Sequence, residues 1–282
     1  MIGALRNYLL DFRDRQQIAI ALTRGTAMMN ARKIDLSLPS TWEFSGFSQN
    51  GEDGILDVLR GQLGSTNRYF TEIGAGSGIE NNTTWLAVAE KQNGLMIEGD
   101  ARRAARAARL IGSVNLGVEC RHLFVVPGIA GQIASLALQQ DPDVLSVDID
   151  GCDYYVVEAL LDAGLRPRIL VVEYNSVFGP ERSATIEYQE AFDLASAHPT
   201  QLYYGVSIAG WRTCLEKRGY RFVTVERNGV NAFFVDPVHF NPAFLQGLRG
   251  LSFAENYYQM RKVRMPSARQ FSLRASQKFV SI

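Results

Sequence analysis

The sequence predicts a doubly wound α/β fold, with a mostly parallel sheet of about seven strands whose last strand is antiparallel. Three observations carry this prediction. The apolar run Tyr69–Ile73 breaks into spaced glycines before a helical pattern begins. Strand and helix patterns then alternate to about residue 175, as in parallel sheets covered by helices on both faces. Near the end, Asn228-Gly229 joins two further strand patterns and signals an antiparallel hairpin.

A helical pattern precedes this sheet, over roughly the first 35 residues. Leu5, Leu9 and Phe12 have the i, i+4, i+7 spacing of one helix face. Such a helix could pack on its own chain, extend as an arm that joins a homo-oligomer, or lie on a membrane surface. Charges of both signs on its polar face count against the membrane. We therefore expect residues 1–40 to form a helical N-terminal extension.

The stretch 48–53 is more polar than the start of a helix requires. A helix is predicted over residues 51–63, and Ser48, Gln49 and Asn50 precede it, where capping residues belong. Capping accounts for part of this pattern. Capping does not account for the additional acids, which include Asp53, and these side chains could contact a ligand.

The glycine turn is the centre of the sequence. Glu72 lies at the end of the first strand, and Gly74, Gly76 and Gly78 follow at alternating positions. Glycines adopt positive φ and let a ligand approach the backbone, while the start of the next helix presents free N–H groups. A dinucleotide fingerprint needs G-x-G-x-x-G, and here the third glycine comes one residue early. The acid before the glycines suits a cationic ligand better than a phosphate.

The second strand ends in Glu98, at the same sheet edge as the glycine turn. A carboxylate in this place can accept hydrogen bonds from both hydroxyls of a ribose. Asp100 follows it and is predicted to cap the helix 101–111. A third strand is predicted over residues 122–126, up to the break at Pro127.

Acids and an amide gather where the fourth and fifth strands end. Because the carboxyl ends of neighbouring parallel strands meet at one edge, we expect a Mg²⁺ site there. Its predicted ligands are Asp148, Asp150, Glu173 and Asn175. Alternatively, these groups hydrogen bond to substrate hydroxyls without a metal, and Asp150 or Glu173 acts as the general base. Asp153 lies farther into the next helix and is predicted to cap it.

His198 is another candidate for proton transfer, because histidine titrates near neutral pH, although a single histidine is more often structural. The loop of residues 178–188 follows the same sheet edge and could cover a substrate. The tail 241–282 is aromatic and then basic, and we expect it to form a C-terminal extension. It could pack on the core, contact a partner or attract an anionic surface.

The motif Glu-x-Gly-x-Gly-x-Gly over residues 72–78 resembles motif I of the class I S-adenosylmethionine-dependent methyltransferases. Residues 48–53 and 146–160 look like segments of the FkbM-type family within that class, although Asp150 stands where the family often has Glu. The resemblance implies a Rossmann-like methyltransferase domain over residues 41–240, with S-adenosylmethionine at the glycine turn under a covering helix.

The resemblance also implies residue roles and a reaction. The implied cofactor contacts are Gln49, Asp53, Glu72, Gly74, Gly76, Glu98 and Asp148. The implied reaction is methylation of a hydroxyl on a sugar, a glycan precursor or a related natural product, with a divalent metal as a further candidate component. The catalytic candidates are Asp150, Glu173 and His198.

Composition narrows the function classes. The 282 residues are 46% hydrophobic and 21% charged, enough for a sizeable core. Lys+Arg and Asp+Glu both number 29, and this zero balance argues against a dedicated nucleic-acid binder. The three cysteines lie far apart in the sequence, which fits a reducing compartment. The sequence contains neither a long apolar run nor a signal-peptide pattern. We therefore predict a soluble cytoplasmic protein without a transmembrane segment. The alternative to an enzyme is a noncatalytic nucleotide-binding module in a polysaccharide or regulatory assembly; an NAD enzyme is a weaker alternative.

Overall fold

Seven strands form the central sheet of the protein, seen here in a computed structural model. The structure describes the backbone of residues 2–274 and 276–282 and the side chains of residues 12–267, 269–274 and 276–282. The strands are β1 (Tyr69–Ile73), β2 (Asn93–Glu98), β3 (Val118–His122), β4 (Val144–Val147), β5 (Ile169–Glu173), β6 (Ala184–Ile186), β7 (Arg221–Val225), β8 (Asn231–Val235) and β9 (Phe279–Ser281). The sheet order is β3-β2-β1-β4-β5-β8-β7, and β6 pairs with β9 in a separate two-stranded ribbon.

The strand directions confirm the predicted fold class. β8 is antiparallel to both of its neighbours, β5 and β7. The pairs from β3 to β5 are all parallel. The strand order reverses between β1 and β4, and ligands of such sheets bind at this point, outside the carboxyl ends of the strands.

Helices cover both faces of the sheet. They are α1 (Ile2–Ala31), α2 (Glu52–Gly61), α3 (Thr84–Val88), α4 (Ala101–Gly112), α5 (Ala130–Leu136), α6 (Asp153–Asp162), α7 (Leu194–Ala197), α8 (Ile208–Lys217), α9 (Pro242–Gly247), α10 (Tyr257–Val263) and α11 (Ser267–Gln270). Short 3₁₀ helices span Pro39–Thr41, Pro127–Ile129, Ser176–Phe178, Pro237–His239 and Phe271–Arg274.

The core lies on both faces of the sheet. Every residue of β1, β4, β5 and β8 is buried. Phe70 and Ile55 of α2 belong to one buried hydrophobic cluster, and Ile73 and Leu160 of α6 belong to a second. Parallel strands buried on both faces are mostly apolar, and for this reason β1, β4 and β5 stand out in the sequence as short apolar runs.

The N-terminal helix α1 packs on its own chain. Ile18 and Ala21 are buried in the core. Asp14 accepts hydrogen bonds from Arg106 at 2.8 Å and from Arg109 at 3.1 Å, both on α4. The side chains of Leu5 and Leu9 lie outside the described residues, as does Met1. Association of two chains through α1 stays a prediction.

No helix within the described residues combines the length and the apolar character that crossing a membrane requires.

The third strand differs from the prediction, which placed it over residues 122–126. It spans Val118–His122 at the edge of the sheet, where only Val118 of the strand is buried, so its sequence is mostly polar. The apolar residues Phe124 and Val126, which suggested the strand, instead line a cavity beside the carboxyl end of β2. The predicted position was therefore wrong, because that apolar run contributes to a cavity wall and not to the sheet.

Gly74 allows the end of β1 to lie directly against the end of β4. Its φ is +88°, and a Cβ added there would lie 1.7 Å from the carbonyl oxygen of Asp148. Gly76 also has a positive φ, +57°, but an added Cβ would meet nothing within 4 Å. Position 74 requires glycine for two reasons, the close approach to β4 and the positive φ. Position 76 requires glycine for its positive φ alone.

Replacing these two glycines separates the two requirements. Gly76→Ala is expected to lower the free energy of unfolding by about 1 to 2 kcal/mol, the cost of a left-handed alanine. Gly74→Ala adds a steric overlap with backbone, so it is expected to cost several kcal/mol, on the order of a severe core mutation, or to prevent folding. Urea unfolding without ligands measures both variants. Equal losses would contradict the close approach of β1 and β4.

Candidate functional site

Two neighbouring cavities open at the carboxyl ends of the strands. The first, here called the glycine cavity, has a volume of about 490 Å³ and lies between the glycine turn and the ends of β2 and β4. The second, here called the amide cavity, has a volume of about 380 Å³. Its wall includes the amide side chains of Gln49, Asn50, Gln201, Asn228, Asn256 and Gln259. Gln49 and Asp150 line both cavities, so ligands in the two cavities would meet at these residues.

Glu98 fixes the glycine turn and lines the glycine cavity. Its carboxylate accepts the N–H of Gly76 at 2.7 Å and the N–H of Asp100 at 2.8 Å. Asp100 in turn accepts the N–H groups of Arg102 and Arg103, both at 2.9 Å, which confirms the predicted helix cap of α4. Glu98 therefore lies in the wall of a cavity, and its contact with a cofactor stays a prediction.

Glu72 lies beneath the glycine turn and lines neither cavity. Its Oε1 accepts a hydrogen bond from Ser146 at 3.1 Å, and Ser146 accepts one from Asn82 at 3.1 Å. Its Oε2 is buried without a hydrogen-bond partner among the described residues. Burial raises the pKa of Glu72 to about 7, although the hydrogen bond from Ser146 opposes this. The geometry makes Glu72 an anchor between β1 and β4.

Asp53 is also buried and lines neither cavity. Its Oδ2 accepts three backbone N–H groups, from residues 46, 47 and 48, at 2.7, 2.7 and 3.0 Å. Asp53 thus shapes the loop. Within the predicted cofactor cover, Gln49 reaches both cavities and Asn50 reaches the amide cavity. Asn50 accepts a hydrogen bond from Asn228 at 2.7 Å, which ties this loop to the β7–β8 hairpin.

Asp148, Asp150 and Glu173 form a group of carboxylates at the boundary of the two cavities. Each contributes an oxygen, and these oxygens lie within 4.8 Å of one another. Asp150 has a φ of +53°, a strained conformation for a residue with a side chain. Asp153 stabilises the bend, because its two oxygens accept the N–H groups of Ile149 at 2.9 Å and of Gly151 at 3.0 Å. It therefore binds the loop before α6, and not the helix end that we predicted.

The carboxylates of this group are hard to ionise together. Burial raises the pKa of Asp148 well above its usual range, and the charges of Asp150 and Asp153 raise it further. Burial and the charge of Asp148 have the same effect on the pKa of Glu173. Burial also raises the pKa of Asp150, while Arg103 acts in the opposite direction. Three carboxylates this close repel when ionised, and a proton or a cation bound among them would relieve that repulsion.

Two predicted site residues lie apart from this group. The Nδ2 of Asn175 donates to the carbonyl oxygens of Leu202 and Tyr204, both at 3.0 Å, and its Oδ1 accepts the N–H of Val177 at 3.1 Å. β5 ends at Glu173, and the amide of Asn175 beyond it is engaged by backbone groups. Asn175 instead fixes the backbone of the next turns.

His198 lines neither cavity. It follows α7, and its Nδ1 lies 2.7 Å from the Oγ1 of Thr200, within hydrogen-bonding distance. The structure thus gives His198 a local contact two residues along the chain, and brings it to neither cavity wall.

The sequence analysis missed Tyr204 and Gln259. Both are buried side chains that line the amide cavity, and the Nε2 of Gln259 donates a hydrogen bond to the hydroxyl of Tyr204. They lie 55 positions apart in the sequence. No local spacing connects them, and the only signal was the aromatic character of the segments that contain them.

Comparisons with known proteins give distant structural similarity alone. No family model matches the chain, and no curated protein matches it. An O-methyltransferase from Bacillus cereus in complex with SAH is 16% identical over 78% of this chain and 89% of its own, with a TM-score of 0.43. The O-methyltransferase TomG from Streptomyces achromogenes, involved in tomaymycin synthesis and in complex with SAM, is 20% identical over 64% of this chain and 75% of its own, with a TM-score of 0.40. A methyltransferase from Geobacter sulfurreducens is 16% identical over 64% of this chain and 74% of its own, with a TM-score of 0.39. Similarity at this level does not assign a function.

Glu72→Gln is expected to flatten the pH dependence of stability. Because the pKa of Glu72 is raised from 4.5 to about 7, the folded protein holds this proton more tightly than the unfolded chain. The resulting stability is complete below about pH 4.5 and is lost as the pH rises through about 7. From about pH 5 to about pH 8 the wild type should lose roughly 2 kcal/mol through this group. Glutamine mimics the protonated side chain at every pH, so the variant should lose that much less.

Urea unfolding at about pH 5, 6.5 and 8 without ligands measures this difference. Glu119→Gln is the matched control, because Glu119 lies half-exposed on the edge strand β3, away from the cavities. It should leave the wild-type profile unchanged. Parallel profiles for the wild type and Glu72→Gln would show that Glu72 is ionised in the folded protein throughout this range.

Proposed function

We propose that this protein is an S-adenosylmethionine-dependent O-methyltransferase. In this proposal the cofactor occupies the glycine cavity, and the acceptor, a sugar, a glycan precursor or a related natural product, occupies the amide cavity. The observation that carries it is the contact of the two cavities at Asp150, beside the carboxylates Asp148 and Glu173. A two-substrate transfer needs such a boundary, where a donor and an acceptor can meet in line.

The wall of the glycine cavity fits a cofactor of net positive charge. Its charged side chains are mostly acids: Glu80, Glu98, Asp100, Asp148, Asp150, Glu190 and Asp193, against Arg103. The chain as a whole carries no net charge, so this excess of acids is local. A cavity of one sign attracts ligands of the other sign, and S-adenosylmethionine carries both a sulfonium and an ammonium group. The same wall disfavours the phosphates of NAD and ATP.

The wall of the amide cavity fits a ligand with many hydroxyls. Amides offer both donors and acceptors, and the hydroxyl of Tyr204 and the carboxylate of Glu173 add one of each kind. Tyr257 and Tyr258 are exposed at the same wall, where their rings could lie against a sugar ring. The resemblance of residues 48–53 and 146–160 to FkbM-type enzymes supports the same class of acceptor.

The proposed chemistry assigns a proton acceptor to the carboxylate group. S-adenosylmethionine supplies an electrophilic methyl group: its C–S bond breaks, a C–O bond to the acceptor forms, and the sulfonium becomes a neutral thioether. The hydroxyl proton must go to a base. Asp150 lines both cavities, and Glu173 lines the amide cavity, so both are within the region where this proton is released. Their raised pKa values suit carboxylates that accept a proton near neutral pH.

A divalent cation fits the same carboxylates. Asp148, Asp150 and Glu173 offer three oxygens within 4.8 Å, and the Oε2 of Glu173 is buried without a hydrogen-bond partner among the described residues. Such oxygens are the ligands that Mg²⁺ prefers. When bound, the ion would relieve the repulsion of the carboxylates and lower the pKa of an acceptor hydroxyl. Asn175 is not part of this proposal, because its amide is engaged with the backbone.

The proposed catalytic unit extends beyond residues 41–240. α10, in the segment 241–282, contributes to the wall of the amide cavity through Tyr257, Tyr258 and Gln259. We propose that residues 1–40 support the fold through α1, and that the C-terminal segment takes part in acceptor binding.

Binding of S-adenosylmethionine is the first test. Calorimetry should detect S-adenosylmethionine and S-adenosylhomocysteine, and neither NAD nor ATP. Glu98→Gln should weaken the binding of both sulfur nucleosides about tenfold, because a charged hydrogen-bond acceptor is lost. Glu119→Gln, on the neighbouring strand and outside the cavity, should bind like the wild type. Failure of both sulfur nucleosides to bind would end the methyltransferase proposal, whereas binding without transfer to any acceptor would favour a noncatalytic module.

Removal of divalent ions tests the proposed metal. Release of S-adenosylhomocysteine in the presence of a panel of sugars and glycan precursors measures transfer. EDTA should lower the rate at least about tenfold, and added Mg²⁺ or Mn²⁺ should restore it. Asp150→Asn and Glu173→Gln should each lower it roughly a hundredfold or more, with or without the ion.

Glu216→Gln is the control for these variants, because Glu216 is exposed on α8 and forms its ion pair with Arg212 one helix turn away. It should keep the wild-type rate. Full activity in EDTA would remove the metal from the proposal and leave a direct carboxylate base. Full activity in both carboxylate variants would place the reaction elsewhere in the protein.

A further inference from the structure

Two side chains in the wall of the amide cavity leave only hydrogen-bond donors for a ligand. Lys262, near the end of α10, is the one basic side chain among the described residues of this wall. Its Nζ donates to the Oε1 of Gln201 at 2.7 Å. An ammonium group has three N–H donors and no acceptor, so two donors remain. The Nε2 of Gln201 also has no partner within the described residues. Gln201 and Lys262, here called the donor pair, therefore present N–H groups alone.

The charge of the donor pair is not neutralised by the chain. No carboxylate forms an ion pair with Lys262 in the part of the chain that the structure describes. The segment 256–282 contains no Asp or Glu, and its basic residues are Arg261, Lys262, Arg264, Arg269, Arg274 and Lys278. Because the whole chain carries no net charge, this excess of cations is local. Such a local excess attracts anionic ligands.

Gln201 has a backbone conformation that residues with a side chain rarely adopt. Its φ is +55°, in the left-handed region. Its N–H donates to the carbonyl oxygen of His198 at 2.9 Å, so the strained residue closes a tight turn. Strain of this kind is found most often where a protein contacts a ligand. Here it lies at the residue whose amide meets Lys262 in the cavity wall.

Gln259 offers the opposite chemistry in the same wall. It is 8% exposed, and its Nε2 donates to the hydroxyl of Tyr204. Its Oε1 is buried without a hydrogen-bond partner among the described residues. A buried acceptor without a partner is costly, and a ligand hydroxyl would satisfy it. The amide cavity thus combines an acceptor suited to a ligand hydroxyl with a pair that only donates.

We infer that the acceptor substrate is an anionic carbohydrate: one of its hydroxyls donates to Gln259, and its phosphate or carboxylate group binds Gln201 and Lys262. The inference rests on the proposed function, and it narrows the acceptor from any sugar to one that carries a negative charge. Phosphate and carboxylate share the charged oxygens that accept strong hydrogen bonds from such a pair. Lys262 is then a residue that determines which acceptor is bound.

Titration with anions tests the donor pair without cofactor or sugar. Inorganic phosphate and sodium acetate are added separately to the isotope-labelled protein at constant ionic strength, and NMR follows the side-chain amide of Gln201. We expect saturable shifts with at least one anion, and the tighter of the two indicates a phosphate or a carboxylate. Lys262→Met should weaken this binding about tenfold or more, because a charged hydrogen bond is lost. Lys262→Arg keeps the charge and should weaken it less.

Lys278→Met is the matched control. Lys278 belongs to the same basic segment, its side chain is 79% exposed, and it lines neither cavity. Its replacement removes the same charge from the chain and should leave anion binding within about twofold of the wild type. Equal weakening in Lys262→Met and Lys278→Met would indicate an adventitious ion only, attracted by the overall charge of the segment, and would overturn the inference.

Matched acceptors test the inference in the transfer reaction. Release of S-adenosylhomocysteine is measured with glucose, glucose 6-phosphate and glucuronate, and with the same three forms of galactose and mannose. A charged form should have a kcat/KM at least about tenfold above that of its neutral parent, through a lower KM. Lys262→Met should remove this preference, and Lys278→Met should keep it. A preference for neutral sugars, or a preference that survives in Lys262→Met, would contradict the inference.

The outcomes separate this inference from the proposed function. If the wild type binds neither sulfur nucleoside, the proposed function fails and the substrate inference fails with it, even where an anion binds the donor pair. If the wild type binds S-adenosylmethionine but methylates none of these sugars, the titration decides: binding that is lost in Lys262→Met supports the inference. No shift at Gln201 with either anion would overturn it, while the proposed function would stand.

Discussion

The repulsion among Asp148, Asp150 and Glu173 is the constraint on which the rest of the site depends. Their oxygens lie within 4.8 Å at an edge where β4 and β5 end side by side. Such a group is unfavourable unless it holds protons or a cation. The protein keeps it together through backbone contacts around it, above all the contact of Gly74 with the carbonyl of Asp148 and the two N–H groups that Asp153 accepts. The backbone thus holds the three carboxylates close together, although their mutual repulsion would otherwise separate them.

Buried acids fix the loops around the site, where helix caps would be the ordinary solution. Asp53 accepts three N–H groups of the loop before α2, whose N-cap residue is Gly51, and Ser48 of that loop accepts the N–H of Asp53 at 3.1 Å. Glu98 joins the glycine turn to the start of α4. Burial raises the pKa of Asp53 to about 7, as it does for Glu72. The loops at the carboxyl edge are thus held by carboxylates that are unfavourable to bury in their ionised form. The hydrogen bonds from the loop N–H groups offset part of the free-energy cost of that burial.

The part of the site that the sequence predicts is the part built from local pattern. The glycine turn, the strand ends at Glu98 and Glu173 and the cap at Asp100 all follow from residues within a few positions of one another. The errors arise where a side chain serves something distant. Phe124 looked like a strand residue because apolar character does not tell a sheet from a cavity wall. Asn175 looked like a ligand because its partners near residue 202 are invisible in local spacing.

The same distinction separates the two cavities. The glycine cavity is formed mostly by the strand ends and turns of β1, β2 and β4, the segments that carry the recognisable motif. The amide cavity takes its wall from the loop at Asn50, the β7–β8 hairpin, the residues around Tyr204 and the helix α10. Connecting segments tolerate change more readily than sheet strands do. A protein with this arrangement can keep one donor site and change its acceptor by changing α10 and the hairpin. The glycine cavity is therefore predictable from the sequence, while the amide cavity is formed by segments that meet only in the folded chain.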